Sequence, residues 1–327
     1  MSITYIFGLL GGLALFLYGM DLMSSGLDLV AGNRMRSFVE KVTSNPIKGV
    51  FVGVIVTAII QSSSATTVML VGFVNAGLMS IYQATSVIMG ANIGTTITGQ
   101  LVALNITKIA PIIAFIGFAM NKGLKKERLK YIGQVVIGLG FLFMGMEFMS
   151  SSMAPLRKDP AFIQLMTKFS NPLLGIVAGT VITGAIQSSA AALGILQAIA
   201  NEGLIGLHSS MYIICGFNIG TCITSVLSAI GASKNAQRTA AVHVLFNFIG
   251  TVIFVLVSFF VPLDVFVANF SRNLPAAQIA NMHTFFNVMT TILLFPFAKQ
   301  LSNLATRLVK GKDKEVEELS LRYINPK

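Results

Sequence analysis

Two runs of uncharged polar residues, each led by a glutamine, interrupt apolar stretches of the chain. QSSSATT begins at Gln61, and QSSAAAL begins at Gln187. Residues 49–107 contain no Lys, Arg, Asp or Glu, and the only acid within residues 169–233 is Glu202. The potential ligands are therefore side-chain amides, hydroxyls and backbone N–H groups. These donors suit an oxyanion, above all where a helix begins.

A serine nucleophile is the alternative chemistry for these motifs. A nucleophilic serine needs a base within hydrogen-bond reach. His208 is the only histidine in the two segments, and no G-x-S-x-G elbow is present. The residues therefore favour binding over catalysis, and we expect no enzyme.

A buried anion also needs a compensating charge. Residues 62–66 and 188–192 are predicted to begin helices, whose N-termini each add about half a positive charge. An anion without a paired cation is costly in a low dielectric. Since Lys and Arg are missing from the motif segments, a metal cation such as Na⁺ is the natural partner.

A proton carrier would need a carboxylate. Asp21 and Glu147 are candidates, unless they only bond to neighbours near a helix end.

A second pair of motifs contains a glycine followed by a hydroxyl residue. GANIGTTIT spans 90–98, and GFNIGTCIT spans 216–224. The glycines predict a helix break in each copy. Thr95 and Thr221 would then cap the following half-helix or offer oxygens to a cation, and a plain glycine kink with an N-cap is the alternative.

The composition predicts an integral membrane protein. The chain of 327 residues is 54% hydrophobic and 11% charged, against roughly 25% charged for soluble proteins. Several apolar stretches reach the ~20 residues that cross a bilayer, so we expect at least five or six crossings in a lipid bilayer. The N-terminal stretch is interpreted as the first membrane helix.

The net charge of +11 does not indicate a nucleic-acid partner. The basic residues cluster in the short segments 33–41, 122–130 and 307–314, which is typical of cytoplasmic loops. The two cysteines, Cys215 and Cys222, have no metal-ligand spacing and are predicted to be packing thiols. We expect no transition-metal site.

The chain is an internal duplication with a constant offset of 126 residues. Five segments of the first half recur at this offset, among them QSSSA as QSSAA and GANIGTTIT as GFNIGTCIT. The basic loops put equivalent segments on opposite sides of the membrane, which predicts two inverted-topology repeats. Such repeats are typical of secondary transporters with a site near the midplane. Parallel repeats remain the alternative.

The segments that flank both motif pairs are too short to span a bilayer. Twelve helical residues cover about 18 Å, against a hydrocarbon core of ~30 Å. We therefore expect re-entrant hairpins at the glutamines and broken helices at the NIG segments. Non-helical backbone at this depth is tolerated only inside protein or beside a wet cavity, so these breaks predict the site.

Two further helices each contain a His and an Asn four residues apart. AVHVLFN includes His243, and NMHTFFN includes His283. These pairs could bind a metal or move protons, but interhelical hydrogen bonding is the expected role. We expect the two histidines to brace their helices against each other.

The doubled glutamine–serine motif, the paired NIG segments and the H-x-x-F-N helix resemble the type II sodium–phosphate cotransporter family, over about residues 5–300. This resemblance implies a sodium-coupled phosphate symporter that works by alternating access. It implies phosphate contacts at Gln61, Ser62, Ser63, Ser64, Gln187, Ser188 and Ser189. It implies sodium or backbone roles for Asn92, Thr95, Thr96, Asn218 and Thr221. Ala190 departs from the motif because it lacks the hydroxyl of Ser64.

The predicted architecture is an all-α integral membrane protein with two repeats, re-entrant hairpins and broken helices. The expected domains are repeats at 1–125 and 126–262, an extra transmembrane helix at 263–304 and a cytoplasmic tail at 305–327. Phosphate and Na⁺ are expected substrates and no cofactor is expected. A second copy, as a homodimer, is a candidate partner. A compact bacterial form in the inner (plasma) membrane is predicted.

Two other functions remain open at this point. A transporter of another oxyanion, sulfate or a carboxylate, would use the same neutral donors. A phosphate-sensing membrane protein would bind the ion and transport little.

Overall fold

The computed structural model describes residues 3–31, 45–104, 106–271 and 273–311. Within these ranges the chain forms α-helices and short 3₁₀ turns, with no β-strand, which confirms the all-α class. The basic segment 33–41 and the end of the predicted tail lie outside the described residues.

The helices are numbered in chain order. They are α1 (Ile3–Ala31), α2 (Pro46–Ile60), α3 (Ser63–Asn75), α4 (Ile81–Gly94), α5 (Thr96–Val102), α6 (Ala110–Gly123), α7 (Glu127–Met153), α8 (Pro160–Lys168), α9 (Pro172–Ile186), α10 (Ser189–Asn201), α11 (Leu207–Ser228), α12 (Lys234–Ser258), α13 (Leu263–Phe270), α14 (Pro275–Leu294) and α15 (Ala298–Leu308).

Among the described residues, four helical segments are long and apolar enough to cross a membrane. They are Tyr5–Val30, Glu127–Lys158, Leu207–Ser228 and Lys234–Ser258. Two bent pairs raise the number to six if each pair is one span: α4–α5 with α6, bent by 71°, and α8 with α9, bent by 101°. The chain is therefore an all-α membrane protein that combines full-length and bent or shortened elements.

The two halves contain matching short helices around the glutamines. Helices α2 and α9 have 15 residues each, and α3 and α10 have 13 each. Helix α2 packs along α4, and α9 packs along α11. A Cβ at Gly90 would lie 3.0 Å from Cα of Gly53, and one at Gly216 would lie 2.9 Å from Cα of Gly179. Close backbone contact through small residues is how membrane helices pack.

Helices α1 and α7, which are equivalent at the 126 offset, pack against each other through glycines. Gly12 lies against the carbonyl of Gly145, and Gly19 lies against the carbonyl of Gly138. The numbering rises along α1 as it falls along α7, so the two helices run antiparallel.

The predicted break at the second NIG segment is wrong. Helix α11 runs without interruption from Leu207 to Ser228, and Thr221 Oγ1 donates to the carbonyl of Phe217 inside it. At the first segment, Thr95 has helical backbone angles (φ −63°, ψ −22°), and its side chain makes no capping hydrogen bond to the start of α5. A glycine is tolerated in a helix when it allows close packing. Gly94 and Gly220 do so against the α2 and α9 backbones.

Helices α12 and α14 contribute to the cores of both halves. Phe246 of α12 and Leu294 of α14 are buried in one cluster with Leu70 of α3. Phe254 of α12 and Phe286 of α14 are buried in the other with α10 and α11. The two helices therefore contribute buried apolar side chains to the packing of both halves.

Candidate functional site

Each glutamine–serine motif forms a sharp connection between two short helices. Helix α2 ends at Ile60, and Ser62 then caps α3 by accepting a hydrogen bond from the N–H of Ala65 at 3.1 Å. In the second half, Ser188 caps α10 by accepting from the N–H of Ala191 at 3.2 Å. The prediction that these serines begin helices is confirmed.

The glutamines themselves adopt left-handed backbone conformation. Gln61 has φ 59° and Gln187 has φ 58°, and in the described part of the chain no other non-glycine residue has a positive φ. This conformation is unfavourable for a residue with a Cβ. Two such outliers at the same position of both halves indicate strain held in place by the surrounding fold, which is common at binding sites.

The two connections line a single cavity of about 550 Å³. All seven residues predicted to contact phosphate are in its lining, together with part of α1 and one residue from the NIG segment. The lining residues are Leu17, Met20, Asp21, Ser24, Ser25, Asp28, Ile60, Gln61, Ser62, Ser63, Ser64, Ala65, Thr95, Ile186, Gln187, Ser188, Ser189 and Ala190. The fold therefore brings together segments that are 126 residues apart.

Two helix N-termini meet at this cavity. The first N–H groups of α3 and α10 have no acceptor within their own helices, and both helices begin in the cavity lining. Each N-terminus contributes about half a positive charge. Among the described residues that line it there is no Lys, Arg or His, so the two dipoles are the positive elements that this part of the chain supplies.

Helix α1 adds two carboxylates that the motifs do not include. Asp21 and Asp28 both line the cavity with exposed side chains. The sequence left the role of Asp21 open and gave none to Asp28. The sequence pattern that could have indicated this role is the seven-residue spacing of the two aspartates with Ser24 and Ser25 between them. This spacing puts the two aspartates and the two serines near one face of a helix.

The two glutamines differ in their side-chain environment. Gln61 is 7% exposed, its Oε1 accepts from Thr98 Oγ1 at 2.6 Å, and its Nε2 donates to the carbonyl of Ala58. Gln187 is exposed. Thr224, the equivalent of Thr98, donates to the carbonyl of Thr221 at 2.9 Å instead. The first glutamine is thus held by its neighbours, whereas the second faces the open part of the cavity.

The sequence profile of a family described as "Na+/Pi-cotransporter" matches residues 15–151 and 156–268. The chain belongs to this Na⁺/Pi-cotransporter family. The match covers both glutamine–serine motifs and both NIG segments.

Relatives from bacteria and from humans are similar to this chain. "Uncharacterized protein YqeW" of Bacillus subtilis is 33% identical over 90% of this chain and 94% of its own length. "Putative inorganic phosphate export protein YjbB" of Escherichia coli is 24% identical over 97% of this chain, which spans 58% of that relative. Human "Sodium-dependent phosphate transport protein 2B" is 43% identical over 98 residues, 29% of this chain and 14% of its own length. No solved structure matches the chain significantly.

In this member of the family the predicted sodium residues divide into two groups. Thr95 lines the cavity. The other four are outside the cavity lining, and their side chains donate to backbone carbonyls three or four residues earlier, as Asn92 does to the carbonyl of Ile88 and Asn218 to that of Ile214. These four are Asn92, Thr96, Asn218 and Thr221.

The expectation that His243 and His283 brace each other is wrong. Gly250 of α12 lies against Thr290 of α14, and Phe254 stacks edge-on with Phe286, so the helices run antiparallel. This register separates the two histidines by about 20 Å along the helix axes. Nδ1 of His243 instead lies 2.7 Å from Oγ of Ser225 on α11.

Proposed function

We propose that this chain transports inorganic phosphate with Na⁺ as the coupling ion, and that the cavity between the two glutamine–serine connections is the binding site. The observation that carries this proposal is the meeting of two helix N-termini and five serines of the two motifs in one cavity of about 550 Å³. Membership of the Na⁺/Pi-cotransporter family supports the substrate class.

Phosphate would be bound by neutral donors. The hydroxyls of Ser63 and Ser189 are buried against the cavity, and the α3 and α10 N-termini direct N–H groups toward it. Gln187 is free to turn its amide toward the ion, while Gln61 is fixed through Thr98. Helix N-termini bind phosphate in many unrelated proteins, and the two here act from opposite halves.

Sodium would be held beside the phosphate rather than at the NIG asparagines. Thr95 and the carboxylates of Asp21 and Asp28 lie in the same lining. Phosphate and a carboxylate in one cavity repel each other, and oxygen ligands suit a hard cation between them. We therefore assign cation binding to Thr95 and Asp21 first. The other four predicted sodium residues are outside this lining, so we assign them no ligand role in this cavity.

The antiparallel packing of α1 and α7 supports inverted repeats. Because these two helices are equivalent in sequence, opposite directions favour inversion over parallel repeats. Inverted repeats allow alternating access by movement of one half against the other around a fixed site. The inner membrane of a bacterium is the proposed location, and a homodimer the proposed assembly.

The test is labelled phosphate uptake by the purified chain in proteoliposomes. Uptake should require an inward Na⁺ gradient, fall in K⁺ medium, and be reduced by unlabelled phosphate more than by sulfate or a carboxylate. Gln187→Ala should lower uptake, whereas Gln278→Ala, a glutamine of α14 outside the cavity, should not. Uptake that does not depend on Na⁺ would contradict sodium coupling. Stronger competition by sulfate than by unlabelled phosphate would indicate that sulfate is the preferred substrate.

Phosphate export is the second candidate function, because the relative YjbB is named as an export protein. A symporter can run in either direction, so the direction of the Na⁺ gradient determines whether phosphate is imported or exported. Vesicles preloaded with labelled phosphate should release it faster when internal Na⁺ exceeds external Na⁺. Release driven by a proton gradient and unaffected by Na⁺ would favour a sodium-independent exporter.

A further inference from the structure

A second large cavity is an apolar groove of about 520 Å³, which shares no described lining residue with the cavity of the glutamine motifs. One wall is the end of α11 and the loop after it, within residues 226–231. Another is one face of α12, within residues 237–245, and the third is the end of α15, residues 308–309. Among the described residues that line this groove, Gln237 has the only polar side chain.

The groove runs from a membrane surface into one leaflet. Residues 229–233 connect two of the candidate membrane spans, Leu207–Ser228 and Lys234–Ser258, so this connection lies at a surface of the bilayer. From Gln237 to Leu245 the groove follows α12 over about 12 Å, at 1.5 Å per residue. Half of a hydrocarbon core of ~30 Å is about 15 Å. The groove therefore has nearly the depth of one layer of acyl chains.

Two basic side chains reach the lining at the surface end of the groove. Nζ of Lys234 donates to Oε1 of Gln237 at 3.1 Å, and Nε of Arg238 donates to the carbonyl of Val309 at 3.1 Å. Arg238 also donates to two further oxygens, a backbone carbonyl and a side-chain amide. A guanidinium has five N–H donors, and all three of these acceptors are neutral. They therefore leave the positive charge of Arg238 uncompensated.

Arg307 and Lys310 add two further cations at the same end of the groove. They flank the lining residues 308–309 in the chain, and both are exposed. Residues 203–263 and 265–312, which include every described residue of the lining, contain no Asp or Glu. A ligand that matches both parts of the groove needs an anionic head and an apolar tail.

We propose that this groove binds one anionic phospholipid of the surrounding bilayer, with an acyl chain between α11, α12 and α15 and the phosphate group at the basic residues. These residues are Lys234, Arg238, Arg307 and Lys310. Basic pockets between membrane helices are typical sites for anionic lipid head groups. The bilayer supplies the ligand, because the lining includes the exposed apolar side chains of Ile230 and Leu308. The basic segment 307–314 predicts that this end faces the cytoplasm, where the leaflet is rich in anionic lipid.

Native mass spectrometry of the purified full chain measures the bound lipid, and it does so whatever ion the chain transports. The protein is incubated with dioleoyl phosphatidylglycerol or with dioleoyl phosphatidylcholine, which have the same acyl chains and differ in net charge. One phosphatidylglycerol should stay bound under conditions that remove phosphatidylcholine. Equal retention of the two lipids, or retention of neither, would overturn the proposal. Displacement of phosphatidylglycerol by inorganic phosphate would show a site for the free anion instead.

Paired charge variants test the position of the head group. Arg307→Gln with Lys310→Gln removes two exposed cations beside the groove, and the control, Lys125→Gln with Lys126→Gln, removes two exposed cations before α7. The first pair should weaken phosphatidylglycerol binding by about 30-fold, which corresponds to ~2 kcal/mol, or ~1 kcal/mol for each basic residue at a membrane surface. The control pair should bind as wild type does. Equal affinities of the two double variants would refute the head-group site.

Ala241→Phe tests the position of the acyl chain. Ala241 lines the groove, so a phenyl ring there would occupy the space of several methylene groups. This variant should lose phosphatidylglycerol although all four basic residues are present, and retention equal to that of wild type would refute the acyl-chain site. If thermal unfolding shows that Ala241→Phe does not fold, Leu308→Asn, which makes an exposed part of the wall polar, supplies the same readout.

The same spectra distinguish two other occupants of the groove. A dimer that contains no lipid, and that Ala241→Phe converts to monomers, would assign the groove to a second copy of the chain. Lipid that is retained only after removal of residues 312–327 would assign the groove to the tail. Either result would overturn the phospholipid site.

Discussion

The hydrogen bond from Thr98 to Gln61 gives the sharpest test of how the cavity is held. Thr98→Val keeps the shape of the side chain and removes the donor to Gln61 Oε1, a bond of 2.6 Å between residues that are 1% and 7% exposed. The left-handed backbone of Gln61 would then lose one of the contacts that hold its side chain in place.

The size of the expected loss in phosphate affinity follows from the burial of Gln61 and Thr98. Leaving a buried acceptor unsatisfied costs about 1–3 kcal/mol, which corresponds to a loss of about 5- to 150-fold in affinity if Gln61 must be in place for phosphate to bind. Thr224→Val is the matched control. Its hydroxyl bonds only to the carbonyl of Thr221 within α11, so we expect little change.

Labelled phosphate binding to purified protein measures the affinity, and proteoliposome uptake measures the rate. Thermal unfolding of both variants separates loss of positioning from loss of fold. Equal affinities of Thr98→Val and wild type, with Gln61 still ordered, would refute the argument that this bond positions the site. An equal loss in Thr224→Val would show that the effect is not specific to Gln61.

Three further predictions concern the same region. Asp21→Asn should raise the Na⁺ concentration needed for half-maximal uptake, whereas Glu147→Gln, at the equivalent position outside this cavity, should not; equal sodium curves for Asp21→Asn and wild type would contradict cation binding there. Ser62→Ala should lower the free energy of unfolding by about 0.5–2 kcal/mol through loss of the N-cap and should also weaken phosphate binding. Ser80→Ala removes a cap away from the cavity and should lower stability alone, and unchanged binding in Ser62→Ala would argue against a contact between Ser62 and phosphate. Gly53→Ala should destabilise the fold by about 1–3 kcal/mol, because its Cβ meets the α4 backbone, and a melting temperature equal to that of wild type would disprove this close packing.

The local features of the site could be predicted from the sequence. The serine N-caps at Ser62 and Ser188 depend on residue type and on the apolar helix that follows, so a single segment contains the information. The repeat offset then predicted that both copies have the same local form, as the matching angles of Gln61 and Gln187 bear out.

The NIG segments show where local reasoning failed. A glycine followed by a threonine predicts a break when the helix is considered alone. In the structure Gly220 allows α9 to pack against α11, and the helix continues through it. Whether a glycine breaks a helix or accommodates a neighbour depends on what packs against it, which the sequence does not state.

The sequence by itself determined the all-α membrane class, the duplication and the family, because composition and motif spacing are properties of the chain. Only the tertiary structure decided that Asp21 and Asp28 share a cavity with the serines, that Gln61 is buried and bonded to Thr98 while Gln187 is exposed, and that His243 contacts Ser225 rather than His283. Each of these depends on contacts between helices distant in the chain. The two halves are similar in sequence, yet the equivalent residues Thr98 and Thr224 bond to different partners, Gln61 in one half and the carbonyl of Thr221 in the other.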